Sequence, residues 1–339
     1  MTVSNFSSKE HTNAYQSRPL RLTSKVRSTI LSAGLVTFCI FGFGWLENTS
    51  GTQTGLPAAN SPLVTVSPQT ANNGRVILLE IDTRDIAQPI FGIQAKFGEK
   101  RIAIAPHPSK TDGIYFGLIG IPHRTRPGTI AVNLEWTNRF GYSSKTIRFT
   151  VETAKYKSER LKVNRRMVNP SPADRQRASR ETREVKKVYL ISNTSRLWNL
   201  PFRLPVDGKV TSPYGAVRLY NRKLKRVHYG VDFRAKAGTP VHAANTGIVR
   251  LARNLYFAGK HVIVDHGLGL FTSYSHLSEI LVSADQRVEK GQIIGYAGAT
   301  GRVNGPHLHW GAKVSGTSVD PLQLLEVLGA LLPAAAESY

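Results

Sequence analysis

The chain is predicted to be mainly β: an immunoglobulin-like sandwich followed by an antiparallel β-sheet domain, with a single transmembrane helix near the N-terminus. Three observations predict this. From residue 63 onward, β-branched and aromatic residues recur in runs too short for helices, each bounded by Gly, Pro or Asn. One uncharged run, Ser28 to Leu46, has the length and character of a membrane span. Composition then shifts twice, to a charge-dense stretch at 154 and to a Gly-punctuated β pattern at 201.

Residues 1–27 carry Lys9, Arg18, Arg21, Lys25 and Arg27 against the single acid Glu10, and read as a cytoplasmic tail. A bilayer-crossing helix needs about 20 apolar residues, within a range of roughly 17 to 25, so 28–46 just suffices as a transmembrane anchor. Its apolar part exceeds the ~7–15 residues of a signal peptide, which favours an uncleaved anchor. The cationic N-terminal flank, with Glu47 beyond, places the tail in the cytoplasm and all that follows outside. Residues 47–62, rich in Asn, Thr, Ser, Gly and Pro, form a linker.

In 63–153, Arg75–Ile81 and Tyr115–Ile121 are β-rich runs. Phe97 to Lys100 has the form of a short hairpin connection, and Gly128–Trp136 and Lys145–Val151 alternate around a turn at Asn138 to Gly141. Strands at this spacing predict the immunoglobulin-like β domain, whose role is to space, dock or occlude. Its histidines, His107 and His123, sit beside prolines and are expected to be exposed. Residues 154–200 form a basic linker and helix. Ser171 followed by Pro172 is a cap and first-turn proline, so a helix is expected from Pro172 to Ile191, and its sparse apolar content predicts a solvated connector. Residues 201–325 carry the second β domain. Residues 326–339 are a C-terminal tail, although Pro321 to Ala335 also fits a short helix packed on the sheet.

The formal charge of +23 on 339 residues points to an anionic partner. No zinc-finger spacing, recognition helix or aromatic ribonucleoprotein signature accompanies it, so nucleic acid is not expected as a partner. An anionic wall polymer or membrane surface fits the charge equally well. The single cysteine, Cys39, lies in the apolar run; this excludes an intrachain disulfide, and it excludes a Cys-based metal site or nucleophile in the part that follows.

Seven of the ten histidines follow residue 220. His228-Tyr229-Gly230-Val231-Asp232 and Gly305-Pro306-His307-Leu308-His309-Trp310 read together as a metal site. A catalytic zinc takes three protein ligands, and His228, Asp232 and His309 can supply them. His228 and Asp232 share a strand face, yet about 13 Å of extended chain would separate them, so the backbone must bend, with Gly230 placed to allow it. His307 and His309, two apart, also share a face, so one can bind the metal while the other faces the substrate. His276, in Tyr274-Ser275-His276-Leu277, can join from a third segment. His242, His261 and His266 are read as structural, and Arg218 as bracing the loop before His228.

These motifs, with Ser212-Pro213-Tyr214-Gly215, resemble the successive signatures of the lysostaphin/LytM-type zinc metalloendopeptidases over roughly residues 205 to 322. The resemblance implies an antiparallel β domain with a groove and one Zn²⁺ per chain. It makes His228, Asp232 and His309 the zinc ligands and His276 and His307 the catalytic histidines. It also implies hydrolysis of the peptide stems of bacterial peptidoglycan in cell-wall remodelling. The N-terminal anchor and β module look like the arrangement of some exported members of the family. Together they imply a single-pass protein of the inner membrane with its catalytic domain in the periplasm, a D-alanyl to meso-diaminopimelate bond as target, and room for a regulatory protein partner. Some relatives have lost ligands and act only as activators of other hydrolases. That silent, wall-binding role is the alternative reading, and the five intact positions argue against it. Zinc brings the pKa of water down to about 7 and polarises a carbonyl, while histidine, with a pKa of about 6.5, is suited to moving the proton. The sequence leaves open which of His276 and His307 is the base. No Gly-x-Ser-x-Gly is present to support a serine hydrolase.

Overall fold

The computed structural model describes residues 61–86 and 88–332. The expected cytoplasmic tail, the anchor at 28–46 and all but the last residues of the 47–62 linker lie outside them, as does 333–339. Among the described residues no helix is long and apolar enough to cross a membrane.

The first β module is a two-sheet sandwich. Strands Leu63–Ser67, Val76–Asp82, Ile114–Gly120 and Ile104–Pro106 lie side by side in that order; Thr70–Asn72, Gly141–Glu152, Gly128–Asn138, Phe91–Phe97 and Lys100–Ile102 form the facing sheet. Alternation along Gly128–Asn138 sends Val132, Leu134 and Trp136 inward, where they meet Ile77, Leu79, Ile81 and Phe149. The expected turns hold: Phe91–Phe97 pairs with Lys100–Ile102, and Gly128–Asn138 with Gly141–Glu152.

Strand Val76–Asp82 is apolar almost throughout because both of its faces are covered. Val76 and Leu78, with Phe116 and Leu118, turn away from the sandwich core and pack on Trp198 of the connector and on Val314, Leu324 and Leu328 beyond it. Directional bonds fix the fit: Gln323 Nε2 donates to the Val76 carbonyl at 3.0 Å, and the Val76 amide donates to Gln323 Oε1 at 2.8 Å. The module is therefore docked.

The helix that carries Gln323, Pro321–Leu331, starts at the N-cap Asp320, whose side chain accepts from the Leu322 amide, with Pro321 in its first turn. It is the short helix that the sequence allowed from Pro321, and it occupies 326–331, where a tail was the other expectation. Val327, Leu328 and Leu331 are buried against the module, an apolar stripe that gains its partner only from a segment some 250 residues earlier.

The module's histidines also differ from expectation. His107 is buried, with Nε2 3.2 Å from Glu80 Oε1. His123 stacks on Tyr156 at 4.4 Å between centroids and meets Tyr229 edge-on at 5.9 Å. Their neighbouring prolines do mark loops, but these loops are covered by the docked domain and by the helix at its end.

The connector is docked as well. Strand Ser158–Leu161 pairs in parallel with Val217–Tyr220. Helix Pro172–Val188 starts as expected, Ser171 Oγ accepting from the Asp174 amide at 3.1 Å, and ends three residues earlier than Ile191. Its narrow inner face carries Ala178, Glu181, Val185 and Val188. The aliphatic pair packs against Leu251, Leu255, Ile263 and Phe271, and Glu181 Oε2 accepts from the Tyr256 amide at 2.7 Å. A stripe this narrow looks solvated in sequence, yet one buried acid and two valines suffice to seat it.

The C-terminal domain is an antiparallel sheet in which Val210–Ser212, Val231–Phe233, Leu308–Val314, Leu270–Ile280, Gly259–Asp265, Gly247–Leu255 and Arg287–Val288 are neighbours in that order. Tyr274, Trp310, Val231, Phe233, Val262 and Leu277 fill its core.

Candidate metal centre

The strand register brings the two distant motifs together. Asp232 lies directly opposite His309 across the antiparallel pair Val231–Phe233 and Leu308–Val314, and His309 lies opposite Ser275 on its other side. Opposed residues on one face have Cβ atoms about 4.5–5.5 Å apart, within reach of a common ion. His228 sits outside either strand, between Leu224–Val227 and Val231–Phe233, and the chain bends there as the spacing requires. Gly230 serves this corner by giving clearance: a Cβ would lie 2.5 Å from the Trp310 carbonyl oxygen and 2.7 Å from His309 Cε1.

Three ligand atoms converge. His228 Nε2 is 2.9 Å from Asp232 Oδ1 and 2.9 Å from His309 Nδ1, and His309 Nδ1 is 2.8 Å from Asp232 Oδ1. His228 Nδ1 lies 2.9 Å from the Pro213 carbonyl, which can only accept, so the proton sits on Nδ1 and Nε2 turns a lone pair inward. Asp232 is nearly buried; burial opposes its charge, but the hydrogen bonds and charges of His228 and His309 outweigh this and hold its pKa well below 3.8. Burial lowers His309 to about 4 against the pull of Asp232, so its ring is neutral at pH 7. A carboxylate oxygen and two imidazole nitrogens, with at most one proton among them, form a set of lone pairs that a divalent cation fits.

The other oxygen of the carboxylate is already engaged. Arg218 Nη2 donates to Asp232 Oδ2 and, at 2.7 Å, to Ser212 Oγ; Arg218 Nε donates to Glu159 Oε2 at 3.0 Å. Arg218 thus braces the ligand itself, and Glu159, which sequence reasoning missed, reaches it from the connector strand. Nothing local in the sequence marks Glu159, because its partner lies 59 residues away.

His276 and His307 stand beside this triangle, with ring centroids 4.9 Å apart. His276 Nδ1 is 2.8 Å from the Thr300 carbonyl and His307 Nδ1 is 2.8 Å from the Gly305 carbonyl, so each carries its proton there and leaves Nε2 free. His307 Nε2 is 3.8 Å from Asp232 Oδ1. Burial, followed by the charges of His309 and His307, lowers the pKa of His276 well below 6.5. Simple alternation would send His276 to the same face as Thr272 and Tyr274, into the core. A bulge prevents this. The pairing with Gly259–Asp265 slips between Lys260 and Val262, His276 takes φ +66, and its ring is re-aimed to within 5.9 Å of His309.

His242, His261 and His266 lie off the triangle, as expected. His266 Nδ1 donates to the Thr246 carbonyl and Nε2 accepts from Thr272 Oγ1. His261 Nδ1 is 2.9 Å from Ser275 Oγ, and burial holds its pKa down near 3. A groove of about 570 Å³ opens over the centre, walled by Glu159, Leu161 and Val163 of the connector, Tyr229, Phe257, and the loop from Arg302 to Pro306.

Fold and donor set together make an antiparallel β domain with a candidate divalent-metal centre. Residues 226–321 match peptidase family M23. Over 139 residues it is 44% identical to the peptidoglycan DD-endopeptidase ShyA of Vibrio cholerae, covering 40% of this chain and 32% of that protein. Over 116 residues it is 35% identical to the DD-carboxypeptidase/endopeptidase Mpg of Neisseria meningitidis, covering 34% and 27%. The crystal structure of a candidate peptidase M23 from Pseudomonas aeruginosa superposes with a TM-score of 0.57 at 29% identity, over 75% of this chain and 94% of that one. The chain spans between about a quarter and a third of the length of these curated relatives.

Proposed function

We propose that this protein is a zinc-dependent endopeptidase that hydrolyses peptide cross-links of bacterial peptidoglycan, with one zinc held by His228, Asp232 and His309. The observation that carries the reading is the placement of two histidines, His276 and His307, with free Nε2 atoms next to a converging donor triangle. The names and functions of the relatives support the substrate class. When bound, zinc supplies Lewis-acid polarisation of a carbonyl and acidification of water. The chain's own residues do the rest. Neutral His276 accepts a proton at Nε2, while the Thr300 carbonyl fixes its tautomer. His276 Nε2 then gives that proton to the departing amine, and His307, whose own proton is held on Nδ1 by the Gly305 carbonyl, sets a second acceptor Nε2 beside it, the two ring centroids lying 4.9 Å apart. Arg218 holds Oδ2 of Asp232 and leaves Oδ1 to be presented.

The experiment is digestion of cross-linked muropeptides by the purified chain. Cleavage should stop with a chelator and return with zinc. Zinc-loaded protein that binds wall material without cutting it would favour the regulator reading.

The two-sheet sandwich supports an immunoglobulin-like module, docked to the catalytic domain. The uncharged run at 28–46 with its cationic flank supports a single-pass inner-membrane protein with the catalytic domain in the periplasm, its membrane contact made by that run. Protease added to spheroplasts should then digest both β domains and spare a short N-terminal fragment; a protected C-terminal domain would overturn the orientation. A D-alanyl to meso-diaminopimelate bond as the target, and a regulatory protein partner, belong to the same reading.

A further inference from the structure

The groove holds a guanidinium without an acid. Arg302 follows Gly301; its amide donates to the Phe257 carbonyl at 2.8 Å, which fixes the backbone. Its Cζ lies over the rings of Phe257 and Tyr220, 4.6 and 4.7 Å from their centroids. Stacking of this kind holds a guanidinium by its face and leaves its N–H edge for hydrogen bonding. That edge has no carboxylate partner among the described residues.

The two acids lining the groove, Glu159 and Asp232, are both bound to Arg218. Arg226 lines the same wall, and its charge, with that of Arg218, acts on Arg302. A rigid, partly desolvated cation beside like charges is unfavourable in an empty groove and favourable once an anion arrives. The planar fork matches a carboxylate in particular, because two parallel N–H···O bonds form at once.

We propose that Arg302, backed by Arg226, determines specificity by receiving a free carboxylate of the peptide substrate, so that stems with an ionised carboxylate beside the scissile bond are preferred over amidated ones. This rests on the endopeptidase reading for its substrate class, and binding tests it separately from turnover. The probe is a matched pair of cross-linked stem peptides, one with the carboxylate free and one amidated, titrated calorimetrically into the full chain with zinc removed. The free acid should bind on the order of 10- to 100-fold more tightly, as expected for a charge-assisted hydrogen-bonded pair. Arg302→Met should abolish that ratio, and Arg302→Lys, which keeps the charge and loses the fork, should restore it in part.

Equal affinity for the two peptides, no measurable binding of either, or a preference that survives Arg302→Met would overturn the inference. Turnover by the zinc-loaded chain then separates the two ideas. A chain that shows the binding preference and cleaves neither peptide keeps this inference and loses the endopeptidase reading. One that cleaves both with equal kcat/KM keeps the endopeptidase reading and loses the inference.

Discussion

Arg218 holds Oδ2 of Asp232 and leaves Oδ1 to face His228 and His309. One carboxylate is thereby divided between an internal cation and the candidate metal position, and the division limits Asp232 to a single donor atom. Because Arg218 is in turn tied to Glu159, the connector strand reaches the metal position through a chain of two ion pairs.

Removing either end of this arrangement should be visible in metal affinity. The parent protein is expected to hold one zinc per chain, and Asp232→Ala and His309→Ala should lose most of it. Arg218→Met should retain zinc with an affinity lower by about 10- to 100-fold, the usual effect of removing a group that orients a ligand. Competition against a zinc chelator measures all three, and full zinc retention in Asp232→Ala would discard the ligand assignment.

His276 and His307 should separate holding the metal from using it. Each alanine variant is expected to keep zinc and to lose about 10²- to 10⁴-fold in single-turnover rate on a cross-linked muropeptide. Since the pair acts on one proton inventory, the double variant should be little worse than the worse single one. Loss of zinc from His307→Ala together with its retention in His309→Ala would reverse the two roles.

Gly230→Ala tests the corner. The added methyl meets the Trp310 carbonyl at 2.5 Å and the His309 ring at 2.7 Å, and neither the strand backbone nor a ring held against Asp232 can retreat freely. The variant should fold with a stability loss of about 1–3 kcal/mol and bind zinc more weakly than the parent. Unchanged melting and unchanged zinc affinity would show that the corner has room the geometry denies.

His266 should make the C-terminal domain sensitive to acid. Burial lowers its pKa from 6.5 to about 4, with the Thr246 carbonyl and Asp265 opposing. Between those values the unfolded chain binds the proton and the folded one does not, so stability is full above about pH 6.5 and falls as pH drops toward 4. The loss is about 3 kcal/mol at most. Denaturant titrations across that window should show a shallower slope in His266→Gln; identical slopes would assign the acid sensitivity elsewhere.

The sequence by itself determined the β character of both domains, the Ser171 helix start, the hairpin at Gly98 and the corner between His228 and Asp232. Each of these is written in local periodicity, capping or chain reach. It also marked His228, Asp232, His276, His307 and His309 as one group, through their resemblance to a known set of motifs. Tertiary structure alone decided how that group is arranged. The face His276 presents depends on a bulge, and a one-residue slip in register reverses every side chain beyond it. Glu159 joins the centre through a parallel pairing that closes a 59-residue separation, and His123, read as a solvated loop residue, is stacked on Tyr156 where the module meets the connector. Such contacts are set by which apolar faces find each other across the folded chain, as Val76 and Leu78 find Leu324 and Leu328, and no window of neighbouring residues encodes that choice.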